Sequence, residues 1–90
     1  MERAAIDAIR EAVRAAQQVV HSGKLDSCDI DDIDEVITTI DQELARPTPN
    51  KNTLTTYLNS LAHSLRSLPP AREVGTRLDA AMREAGVPIN

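Results

Sequence analysis

The chain contains almost no aromatic side chains, since Tyr57 is its single aromatic residue and both Phe and Trp are absent. Its core must therefore be built from Ile, Leu, Val, Ala and two Met, which bury less area each than aromatic side chains do. A single domain of 90 residues with such a core is marginal on burial alone. Partner binding or self-association is a reasonable expectation for such a chain.

Cysteine and glycine are also scarce. Cys28 is the single cysteine, which excludes an intrachain disulfide. Gly23 and Gly86 are predicted to end helices, and Gly75 lies inside a predicted helix, where it would permit close packing. The sequence therefore has no phosphate-binding glycine loop, and no oxyanion-type loop that would support Cys28 as a nucleophile.

Metal-ligand patterns are missing as well. His21 and His63 have no ligand-like neighbour at i+3 or i+4, whereas a zinc site needs about four ligands. A calcium loop that starts at Asp29 would need an oxygen ligand at its fifth position and a glycine at its sixth. These two positions hold Ile33 and Asp34 instead. We expect no catalytic residue, no metal and no cofactor, and hence a protein that is not an enzyme.

Long apolar runs are absent. No stretch approaches the roughly 20 apolar residues that span a bilayer. No apolar segment follows a basic N-terminus either, as it would in a secretory signal. We therefore expect no membrane association and a cytoplasmic location.

Helical periodicity is what the sequence has in abundance. Apolar residues recur at intervals of three and four, which predicts helices over residues 2–22, 29–46, 51–68 and 70–85. Asn50 is the predicted N-cap of the third helix. Because the connections are short, consecutive helices should be antiparallel neighbours. We predict an all-α fold, a small antiparallel up-and-down bundle of four helices in one domain. A three-helix core with a looser first or last helix is the variant.

Acidic residues are concentrated in one part of the chain. Residues 26–43 carry a formal charge of −8 and no Lys or Arg, whereas the other 72 residues carry +4. The helix macrodipole favours acids near the start of the second helix, but it does not favour Asp41 and Glu43 near its end. The segment is either a solvated face or a docking face for a basic partner.

The docking interpretation defines a set of partner-binding residues. Acidic surfaces speed association with basic partners and repel nucleic acid. The candidate residues are Asp31, Asp32, Asp34, Glu35, Asp41, Glu43 and Tyr57. Tyr57 borders an uncharged polar face of the third helix and could anchor a partner there. It could equally cover the core beside Leu58 while its hydroxyl reaches water.

The first helix is rich in small apolar residues. Ten of the sixteen residues in 5–20 are Ala, Ile or Val, and a helix apolar over most of its circumference is usually buried on more than one side. Ala5, Ala8, Ala12 and Ala15 are the predicted self-association residues, and a homodimer is the simplest assembly. Alternatively, these alanines only favour helix formation and tolerate exposure.

Direct binding to nucleic acid is not expected. The net charge is −4, and the modest group of Arg66, Arg72 and Arg77 falls short of a clustered basic stripe.

The order of elements from Ile37 to Met82 resembles that of small four-helix bacteriocin immunity proteins. It comprises an acidic-ended helix, a Pro/Asn turn, a Leu-rich helix, a Pro-Pro break and a further helix. The chain departs from that pattern in its acidic balance and its lack of aromatic residues, and the resemblance assigns no residue a role.

These observations predict a non-catalytic protein-binding module. Its most concrete form is a small inhibitor of the immunity, antitoxin or phage counter-defence type, which docks an acidic helix on a basic protein surface. The alternative is a self-assembling structural or adaptor bundle that uses the Ala-rich first helix.

Overall fold

A computed structural model describes residues 2–89, and four α-helices make up most of them. They are α1 (Arg3–Val20), α2 (Ser27–Leu44), α3 (Lys51–Ser67) and α4 (Arg72–Glu84). The most extensive contacts join α1 to α2, α2 to α3, α3 to α4 and α4 to α1. This ring of contacts confirms the predicted all-α, up-and-down four-helix bundle. It also places α2 diagonally opposite α4.

Apolar residues at helical spacing form one continuous core. The largest fully buried side chains come from all four helices: Ile9, Val13, Val20, Ile37, Ile40, Leu54, Leu58, Leu61, Leu65, Leu78 and Met82. The first helix contributes to this core as fully as the others do, so the variant with a looser terminal helix is not observed.

The helix ends differ from the predicted ones by a few residues. α2 begins at Ser27, two residues before the predicted start, and the side chain of its N-cap, Asp26, makes no capping hydrogen bond. Asn50 caps α3 as predicted, and its side-chain oxygen accepts a hydrogen bond from the Thr53 amide at 3.0 Å. Pro70 lies in a 3₁₀ turn, Pro69–Ala71, so α4 starts at Arg72.

The residues after α4 fold back onto the bundle. Gly86 has a φ of +74°, in the left-handed region that favours glycine, and the Val87 amide then donates to the Met82 carbonyl at 2.9 Å. Val87 is buried, and Ile89 packs against the core. The Asn59 side-chain amide donates to the Pro88 carbonyl at 2.8 Å and so ties this segment to α3.

A close approach of α4 to α3 depends on Gly75. A Cβ atom at this position would lie 3.1 Å from Leu65 Cβ and 3.1 Å from Arg66 Cγ, closer than ordinary contact. Beside this crossing, Arg66 donates a hydrogen bond to Asp79, and the two form an ion pair. Gly75 therefore permits close packing, as its position in the sequence predicted.

Candidate protein-binding surface

The acids of α2 surround a helix whose inner face is strictly apolar. Ile33, Ile37, Ile40 and Leu44 recur at intervals of four, three and four and are all buried in the core. Positions between them must point outward or along the flanks toward α1 and α3. The six acids of the predicted docking set therefore occupy three different environments.

Three acids lie on the outer side of α2 and are exposed: Asp31, Asp32 and Glu35. No ion pair within residues 2–89 involves any of them. We refer to these three residues as the acidic face. Its carboxylates are the part of the predicted docking set that is available to a partner.

Two acids predicted to belong to the docking surface face α1 instead. Asp41 forms an ion pair with Arg14, and His21 Nε2 lies 2.9 Å from the Asp34 carboxylate. Both acids are about one-third exposed, with side-chain values of 35% and 33%. They therefore serve first as links between α1 and α2, and the charge of Asp41 is compensated by Arg14.

A signal for this arrangement was present in the sequence. Arg14 and His21 are seven residues apart, as are Asp34 and Asp41, and seven residues make two helical turns. On antiparallel neighbouring helices, side chains at matching two-turn intervals meet pairwise. The matched spacing of bases on α1 and acids on α2 could therefore have predicted both links.

Glu43 is a correction to the predicted docking set. Its side chain is only 9% exposed, and its Oε2 accepts a hydrogen bond from the Asn50 amide at 2.9 Å. Arg46 Nη1 lies 3.3 Å from the same carboxylate. Because the backbone turns back after α2, this carboxylate faces the turn and holds it against the start of α3. It cannot form part of an exposed docking surface.

A small groove extends the acidic face toward α3. It has a volume of about 160 Å³. Its walls come from α2 and from the end of α3: Asp29, Asp32, Ile33, Ser64, Ser67 and Leu68. Carboxylate and hydroxyl groups thus lie over an apolar floor, so the surface next to the acidic face has hydrogen-bonding and apolar character together.

Tyr57 is the single exposed large hydrophobic residue among those that the structure describes, at 37% exposure. It lies on α3 seven residues, or about two helical turns, before Ser64, which lines the groove with α2. Tyr57 is therefore on the flank of α3 that faces α2. This position leaves part of the ring accessible. Both predicted roles, covering the core and anchoring a partner, remain compatible with it.

The outer side of α3 carries polar groups of little net charge. A shallow depression of about 620 Å³ lies over it. Its lining residues are Thr55, Thr56, Asn59, Ser60, His63 and Arg66. The Thr55 and Thr56 hydroxyls donate to the carbonyls of Lys51 and Asn52 on the same helix. Their oxygen lone pairs therefore remain available as acceptors on this surface.

The alanines of α1 are divided between the core and the surface. Ala12 is only 6% exposed, so most of its surface packs within the bundle. Ala8 is half-buried, and both residues line a groove between α1 and α4. Ala5 and Ala15 are half-buried too, and Ala15 packs against the core.

Within residues 2–89, no group of three or more His, Cys, Asp or Glu side chains could hold a metal ion. None of the described helices combines the length and the apolar character that crossing a membrane requires. No family model matches the chain, and no curated protein or solved structure shows a significant match to it.

Proposed function

We propose that the chain is a non-catalytic protein-binding module that docks its acidic face on a basic surface of another protein. The observation that carries this proposal is the set of three exposed carboxylates, Asp31, Asp32 and Glu35, with no cation beside them in residues 2–89. The setting that we propose is a small inhibitor of the immunity, antitoxin or phage counter-defence type. It would occupy a basic surface that its target uses to hold nucleic acid.

The arrangement of these carboxylates favours an external cation. Asp31 and Glu35 are four residues apart on one helix, and like charges at that spacing repel each other. Asp41 and Asp34 have Arg14 and His21 beside them, whereas no ion pair within residues 2–89 involves the acidic face. A Lys or Arg side chain of a partner would relieve this repulsion on binding, which makes the face complementary to a basic surface.

Tyr57 supports the same surface as a second contact. A partly exposed tyrosine supplies apolar area and a hydroxyl at a small conformational cost, which is why tyrosine is common at binding hot spots. The depression over α3 beside it carries few charges, as the centres of protein interfaces do. The proposed partner surface is therefore basic where it meets α2 and uncharged where it meets α3.

Electrostatic attraction determines how such a complex would form. A face of one sign speeds encounter with a basic partner by about 10-fold to 1000-fold, and added salt removes this gain. At physiological ionic strength, the screening length is roughly 8 Å, so the acidic face acts mainly on groups that approach it closely. The exposed Cys28 thiol at the start of α2 is suited to a reducing compartment, and we place the encounter in the cytoplasm.

A pull-down with matched variants tests the proposal. The tagged chain is incubated with lysate of the source cell, washed, and eluted in steps of rising salt, and the released proteins are identified by mass spectrometry. The test variant neutralises the acidic face with Asp31→Asn, Asp32→Asn and Glu35→Gln. We expect one stoichiometric partner with a basic surface, bound by the wild type, released by salt, and lost with the test variant.

The control variant changes the net charge by the same amount elsewhere, with Glu2→Gln, Asp7→Asn and Glu73→Gln. All three residues are exposed and lie outside α2. The control should retain the partner. With the purified partner, the test variant should lower the association rate by about tenfold or more at low salt. Equal binding by the wild type and the test variant, with the same salt needed for release, would show that the acidic face is only solvated.

A further inference from the structure

A second open surface lies on the side of the bundle away from α2. There, α1 and α4 form a shallow groove of about 240 Å³. Its apolar part consists of four alanines: Ala8, Ala12, Ala80 and Ala81. Three charged residues, Glu11, Arg77 and Glu84, line it as well. The groove is open, and both helices that form it are also packed on the core.

We propose that two copies of the chain pair through this groove. In this dimer, α4 of one copy lies antiparallel to α4 of the second copy, about a two-fold axis that passes between Ala80 and Ala81. Two-fold dimers bring the same surface of each copy together, so the surface must be complementary to itself. This inference does not depend on the proposed function, because it concerns different helices and a different occupant.

The charges of the groove provide this self-complementarity. Arg77 and Glu84 are seven residues apart, and both line the groove, so they lie on one side of α4. The proposed axis lies midway between them. Across it, Arg77 of each copy faces Glu84 of the second copy, which gives two ion pairs per dimer. Glu11, the third charged residue of the groove, has no base opposite it in this arrangement, so the two ion pairs compensate four of the six groove charges of the dimer.

The alanines allow the two copies to approach closely. Interaxial distances between packed helices depend on the side chains at the contact, and alanine is the smallest side chain that still favours a helix. The bundle measures 34 × 21 × 20 Å, so one long side, on the order of 700 Å², is the upper limit of the area that each copy can bury. Because this limit lies below the roughly 800 Å² per partner of a standard interface, we expect a weak dimer that forms at high protein concentration.

The position of the acidic segment favours this side of the bundle for pairing. α2 lies diagonally opposite α4, and residues 26–43 carry a charge of −8. In the proposed dimer, the two acidic segments face away from each other, so their repulsion is small. Pairing through α2 would bring the two −8 segments together and would be strongly opposed.

Analytical ultracentrifugation of the full chain at low salt, from micromolar to millimolar concentration, tests the proposal directly. The wild type should shift from 9.8 kDa toward twice this mass as concentration rises. The variants Arg77→Glu and Glu84→Arg each place like charges opposite one another across the axis. Each should weaken dimerisation by about tenfold or more, because two contacts change per dimer. The double variant with both changes exchanges the charges and should restore the affinity of the wild type.

Arg83→Glu is the matched control, because Arg83 is also exposed on α4 but does not line the groove. It should dimerise as the wild type does, and so should the variant neutralised at Asp31, Asp32 and Glu35. A wild type that stays at 9.8 kDa at every concentration overturns the proposal. So does a dimer that survives the single variants unchanged, or one that the double variant fails to restore. None of these three results bears on the binding of a basic partner to α2.

Discussion

Replacing Gly75 with alanine should destabilise the bundle, although alanine is the better helix former. In an unstrained helix, this exchange would stabilise by about 1 kcal/mol. Here the added Cβ would lie 3.1 Å from Leu65 Cβ and 3.2 Å from the Arg66 backbone nitrogen, whereas ordinary contact begins at 3.4 Å. Both atoms are fixed to the α3 backbone, so the two helices must separate by a few tenths of an ångström.

The expected free-energy change is the difference between these two effects. Overpacking a well-filled core costs about 1–3 kcal/mol. The same Cβ would lie 3.1 Å from Arg66 Cγ, so relief by moving that side chain disturbs its ion pair with Asp79. Steric cost therefore outweighs the gain in helix propensity. We expect a net loss of about 1 kcal/mol, or roughly 4–8 °C in melting temperature for a domain of this size.

Urea unfolding followed by far-ultraviolet circular dichroism measures this change. The control is Thr76→Ala, at the next position of α4, where the side chain is exposed. It should stabilise by about 0.5 kcal/mol through propensity alone. If Gly75→Ala gained stability by a similar or larger amount, α3 and α4 would be free to separate, and the reasoning from the close contact would be refuted.

Three further substitutions test the polar contacts that hold the bundle, each by the same unfolding assay. Asn50→Ala removes the cap of α3 and should cost about 1 kcal/mol; no change would mean that water replaces the cap fully. Asn59→Ala removes the donor to the Pro88 carbonyl and should cost about 1 kcal/mol, with faster hydrogen exchange at Val87. Arg66→Ala leaves the buried Asp79 carboxylate without its cation and should cost about 2 kcal/mol. This cost is lower than that of breaking a fully buried ion pair, because the Arg66 side chain is 35% exposed and solvent screens the interaction.

The fold could be predicted because apolar spacing alone decides which side of each helix faces the core. Leu54, Leu58, Leu61 and Leu65 are all fully buried, as their intervals of four, three and four require. The start of α2 was less predictable. Asp26, Ser27 and Asp29 are all residue types that favour the N-cap position, so the sequence does not indicate which of them precedes the helix. In the structure the N-cap is Asp26, and its side chain makes no capping hydrogen bond.

The candidate surface was only partly predictable, because charge shows that an acid is present but not which way it points. Asp31, Asp34 and Glu43 look equivalent in the sequence, yet one faces solvent, one faces α1 and one is buried at the turn. The difference arises from the rotation of α2 about its axis, which the neighbouring helices determine. The burial of Asn59 and Asp79 had no signal, since each lies beside a core leucine on a flank that could equally be exposed.

The contact between α1 and α4 has a consequence for the order in which the bundle folds. It joins the first and last helices, so it closes the longest loop in the chain, whereas the turn between α2 and α3 is short and is held by Glu43. Loop-closure entropy must be lost before distant contacts stabilise the fold. We therefore expect the α2–α3 hairpin to be well formed in the folding transition state and α1 to dock last. Conservative truncations should then give high φ-values at Leu54 and low ones at Val13, and the reverse order would refute this sequence of events.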